Sequence, residues 1–108
     1  MYIAGELQTW PARKQMATLL REAGLHVTVG RYSVRVDDCW HFVFQHYGGD
    51  LGHPSIDADA ESLTELLREA GLVSAALAHA DLVHRFELYD DLDVMVGYLH
   101  YCWPLAGV

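Results

Sequence analysis

Residue types able to do chemistry are plentiful here, but their spacing commits them to little. The chain holds seven histidines, two cysteines and fifteen carboxylates in 108 residues. Acyl transfer by serine needs the nucleophile on a strained Gly-x-Ser-x-Gly turn. Ser33, Ser55, Ser62 and Ser74 lie in no such context. The run Gly48-Gly49-Asp50-Leu51-Gly52 lacks the Lys-Ser/Thr that completes a phosphate-binding loop. Cys39 and Cys102 form no CxxC pair and no Cys/His zinc spacing. Each adjoins a tryptophan in a strand-like run and reads as a small buried thiol. No catalytic residue, resident metal or cofactor follows from these patterns, and the balance leans away from an enzyme.

The histidines allow one ligand set. His41 and His46 are five apart in a strand-like run, so they point to opposite faces and cannot share an ion. His46 and His53 can instead converge with Asp50 around the glycine-rich loop, offering two imidazoles and a carboxylate. A loop as long as Gly48 to Ser55 is often functional in a compact domain.

Charge narrows the classes further. A net charge of −8 excludes a duplex nucleic-acid binder, which needs a basic face to displace counterions. It permits a basic partner drawn in by the field of the whole molecule. Protonating all seven histidines would bring the formal charge to −1, so solubility is expected to fall as pH approaches about 5, below the ordinary imidazole range. No stretch reaches the ~18 apolar residues of a membrane span, and the first residues lack signal-peptide character. The expected location is the cytoplasm. One lysine against six arginines is a composition associated with GC-rich bacterial genomes.

The elements that would position these residues come from periodicity. Residues 1–9 show no clear period and read as an extended arm. Thr9 can cap a helix opening at Trp10-Pro11, with Met16, Leu19 and Leu20 on one face. Leu-Leu-Arg-Glu-Ala-Gly-Leu occurs twice, at 19–25 and 66–72. In the first copy Gly24 ends the helix, because the strand formers of His26 to Val29 follow. In the second, Gly71 is overrun, because Val73, Leu77 and Ala80 keep the helical period. Asp57 or Asp59 is placed at the cap of that second helix. Tyr32 to Val36 and Trp40 to Tyr47 form a hairpin through Asp37-Asp38, after a short run at Val27. Leu82 to Tyr89 and Val94 to Trp103 form another, and residues 105–108 a loose tail.

The order α-β-β-β-α-β-β predicts one α+β domain over residues 1–108. It is a two-layer sandwich with two helices on one face of an antiparallel sheet of four to five strands. The opposite face would gather Arg31, Arg35, His41, Tyr47, Arg85 and Tyr89, a locally basic patch with interface composition. The reading is a small acidic, non-catalytic interaction protein: an inhibitor, an antitoxin- or immunity-like protein, or a regulatory module. It would bind a protein partner, or a second copy as a homodimer, through that face or an acidic surface. The alternative is a small-molecule or metal-binding protein using the Gly48–Ser55 loop with His46, Asp50 and His53.

Overall fold

A computed structural model describes residues 1–46 and 52–103. The class is α+β, with two helices and one antiparallel sheet of seven strands. In chain order the elements are β1 (Tyr2–Leu7), α1 (Arg13–Glu22), β2 (Val27–Val29), β3 (Ser33–Val36), β4 (His41–Gln45), β5 (Ser55–Asp59), α2 (Leu63–His79), β6 (His84–Tyr89) and β7 (Met95–Tyr101). The strands lie in the order β2-β3-β4-β5-β1-β6-β7. Both helices cover one face, α1 against β2 and β3, α2 against β6, β7 and β1. No helix among the described residues is long and apolar enough to cross a membrane.

The expected four to five strands become seven because two further segments, β1 and β5, join the sheet. Residues 1–9 are not an arm: β1 pairs with β6 along its whole length and with β5 at Tyr2 and Ile3. Its alternation is hidden because one inward position, between buried Ile3 and Leu7, is Gly5. A Cβ there would come within 2.8 Å of Ile56 and 3.0 Å of Phe86, so the missing side chain lets three strands close together. Asp57 and Asp59 do not cap a helix; they lie in β5, which alternates strictly, with Ala58 buried and Asp57 exposed. The α2 cap is Ser62, whose Oγ accepts from the Glu65 backbone N–H at 3.2 Å. Thr9 is not a cap either. Pro11 holds the residue before it out of the helical region, the chain stays extended through Ala12, and α1 starts at Arg13.

The repeated heptapeptide is used in two ways. Gly24 adopts φ +93° after α1, whereas Gly71 lies inside α2. The burial phase also changes between copies. Leu20 is buried and Glu22 exposed in the first; in the second Leu66 and Glu69 are buried and Leu67 and Leu72 exposed. Not all its leucines face the core.

Among the described residues that core is apolar except at two points, where His84 and Glu69 are buried. His84 Nδ1 donates to the Leu82 carbonyl at 2.8 Å, which leaves Nε2 to accept from the Ser74 hydroxyl at 2.7 Å. Burial holds this imidazole below its ordinary pKa, against the opposing effect of the Leu82 bond. Glu69 Oε1 accepts from the Trp40 backbone N–H at 2.6 Å and so ties the β3–β4 turn to α2. Burial raises its pKa, and the Trp40 bond opposes the rise.

Candidate functional site

Strand pairing fixes which side chains occupy the uncovered face. A row across the sheet centre runs His41, Asp59, Tyr2, Tyr89, one residue from each of β4, β5, β1 and β6. Below it lie Val43 opposite Asp57, with Arg35 opposite Val43, and Ala4 opposite Glu87, which in turn opposes Tyr98; further along, Glu6 opposes Arg85, which in turn opposes His100. The expected basic patch is therefore interrupted. The strands missing from the sequence reading, β5 and β1, bring Asp57, Asp59 and Glu6 into its middle. β4 and β6 are three strand spacings apart, about 14 Å, and His41 lies in the row of Tyr89, four residues along β6 from Arg85.

Most of the proposed contact residues are occupied within the fold. Arg85 pairs with Glu6 at 2.8 Å, approaches Glu87 at 3.9 Å and lies 5.2 Å from the centre of the Trp103 ring. Tyr89 stacks on Tyr2 with ring centres 5.2 Å apart and donates to Glu87 at 3.1 Å. His41 Nε2 is 3.4 Å from Asp57. Arg31 lies over the Tyr32 ring at 5.3 Å, in the bend before β3. Arg35 is exposed on β3. Tyr47 lies outside the described residues.

The alternative ligand set is described only in part. His46 is half-buried beside Trp10 on the helix-covered side, ring centres 5.9 Å apart, while His53 is exposed ahead of β5. Asp50 is outside the described residues. A different group comes together on the outer face: His41, Asp57 and Asp59, whose donor atoms all lie within 4.8 Å of one another. One imidazole and two carboxylates suit zinc or a harder divalent ion, at bond lengths of ~2.0–2.2 Å. Binding would require the side chains to turn inward toward one point. This group was missed because its aspartates look like helix-capping residues. The strict alternation of Ser55 to Asp59 was the signal available.

Cys39 is not set up as a nucleophile. The half-buried Cys39 is pushed up to about 12, chiefly by burial and then by the nearby Glu69 carboxylate. Cys102 is exposed rather than buried, at a left-handed φ of 55° just beyond β7.

The sheet edges contrast sharply. At one end β2 has three residues, and the Arg21 guanidinium donates to its Val27 carbonyl at 3.2 Å. At the other end β7 has seven residues, and no strand among the described residues pairs with its outer side. From Val94 to Trp103 there is no Asp, Glu, Lys or Arg. Leu92, Val94, Met95, Val96 and Tyr98, all exposed, lead into and along this edge. Leu67 of α2, also exposed, extends the apolar surface onto the helix layer, where it would lie 3.4 Å from a Cβ at Gly97. Short length, charge and strand covering are the usual protections of an edge. Among the described residues β7 shows none of these, only a register shift opposite Leu88 and Tyr89 near its beginning.

Compared with protein-family models, curated proteins and solved structures, the chain matches none.

Proposed function

We propose that this chain is a small non-catalytic interaction protein that binds another protein through the β6–β7 end of its sheet. The observation that carries the reading is the concentration of exposed apolar side chains on a long, uncharged edge strand. Contiguous apolar surface marks interaction sites more often than scattered exposed residues do. An open edge also offers a row of backbone donors and acceptors, which an added strand can pair. Arg85, Tyr89 and Trp103 flank this edge and supply the side-chain types enriched at interfaces. Arg31, Arg35 and His41 fall on the far side of the acidic strip and are secondary to it.

The test is capture from the source cell with Met95→Lys/Tyr98→Lys beside the wild type. Both side chains are about half exposed, at 52% and 42%, so the domain should keep its circular dichroism and melting temperature. Loss of the captured protein is the expected result. Equal capture by the folded variant would sink the reading.

A second reading, cation binding, is favoured by the His41–Asp57–Asp59 group alone. Zinc and manganese titrations followed by calorimetry would test it. Saturable binding lost in Asp57→Asn/Asp59→Asn supports it, and heat-free titration removes it.

A further inference from the structure

We infer that the occupant of the β7 edge is a second copy of this chain, the two β7 strands pairing antiparallel across a two-fold axis; this rests on the reading of that edge as the interaction surface. Antiparallel pairing makes an edge strand its own complement, because a two-fold axis near its middle presents each copy with the same row of backbone groups. Two bodies of net charge −8 repel over most of their surfaces. A contact between copies therefore has to fall where charge is absent, and the stretch from Val94 to Trp103, which has no Asp, Glu, Lys or Arg, overlaps the exposed apolar one from Val94 to Tyr98. A basic partner would be drawn instead to the carboxylates at the sheet centre or at the Asp90–Asp93 turn.

Pairing would continue the sheet from one copy into the next. It would also bring the α2 layers toward each other, with Leu67 beside the joint. Tyr98, near the middle of β7, would meet the axis, so Tyr98→Lys places two ammonium groups against each other. The other edge cannot serve equally: β2 is too short, and Arg21 already holds one of its carbonyls.

Sedimentation equilibrium on the full chain tests this. The wild type should approach twice its 12.1 kDa mass in the micromolar range. Tyr98→Lys should stay at 12.1 kDa with an unchanged far-ultraviolet spectrum. Raising salt from about 50 to 500 mM should tighten the dimer, since screening weakens repulsion between like-charged bodies. A wild type that stays monomeric at about 100 μM, or a dimer that survives Tyr98→Lys, overturns the inference. The broader reading fails separately. A monomeric wild type that loses a captured protein when β7 is substituted keeps the edge as a site for a different partner. One that loses nothing removes both.

Discussion

At the scale of single residues, His84 and Glu69 link the apolar core to pH in opposite directions. The buried His84 has a folded-state pKa below the ordinary imidazole value of 6.5. Its contribution to stability is therefore complete above that value and is lost as pH falls toward the folded-state pKa. Glu69 is shifted the other way, above 4.5, so its contribution is complete below 4.5 and is lost as pH rises through the folded-state pKa. Two measurements separate them. His84→Gln should flatten the loss of denaturation midpoint between about pH 6.5 and 5, which for one proton is at most ~1.4 kcal/mol per pH unit. Parallel wild-type and variant curves would mean that His84 takes up a proton as easily in the folded state as in the unfolded. Glu69→Gln keeps an acceptor for the Trp40 N–H while removing the buried charge. It should match or exceed wild-type stability at pH 7, whereas Glu69→Ala, which leaves that N–H unpaired, should cost about 1–3 kcal/mol. Chemical denaturation of the two variants at pH 7 decides it, and equal losses would show that the bond to Trp40 contributes nothing.

At the scale of elements, the central strands were the hardest to read, for a physical reason. A half-buried strand announces itself by large apolar residues at alternate positions. In β1 one inward position is glycine and an outward one is tyrosine; in β5 the outward residues include two aspartates, a type depleted in strands. By contrast the β3–β4 hairpin and β6 were legible, because Val34, Val36, Phe42, Phe44, Phe86 and Leu88 put large apolar side chains at alternate inward positions. The heptapeptide's stop at Gly24 and its passage through Gly71 were legible too, since the residues that follow differ so strongly. The site suffered with the strands: Arg35, His41, Arg85 and Tyr89 were assigned to the outer face, but the carboxylates between them came from the misread segments. The consequence can be measured. Removing residues 1–7 takes out a strand bonded on both sides, so the chain should lose its cooperative unfolding transition rather than keep a trimmed domain. A truncated chain with a wild-type melting curve would contradict the central position of β1. Gly5→Val, which forces atoms against Ile56 and the buried Phe86 ring, should destabilise by about 1–3 kcal/mol in urea.

At the scale of the whole molecule, charge and the open edge act against each other. Net charge keeps like copies apart, and β7 is the surface on which that protection is missing. Lowering the pH reduces the repulsion, and the edge strand itself carries one histidine, His100, beyond its exposed apolar stretch. Protonation of histidines moves the formal charge from −8 toward zero, to −1 if all seven are charged, and burial of His84 opposes its share. The pI of about 5.1 puts the remaining charge close to zero at the bottom of this range. Solubility should therefore fall between pH 7 and 5, and it should fall through the exposed apolar stretch from Leu92 to Tyr98 rather than through unfolding. Light scattering and far-ultraviolet circular dichroism recorded together across that range distinguish the two routes. Scattering that rises while the spectrum stays native, and that is suppressed in Met95→Lys/Tyr98→Lys, is the expected pattern. Scattering that tracks loss of the native spectrum would assign the effect to His84 and acid unfolding instead, and equal scattering in the variant would clear the edge of any part in it.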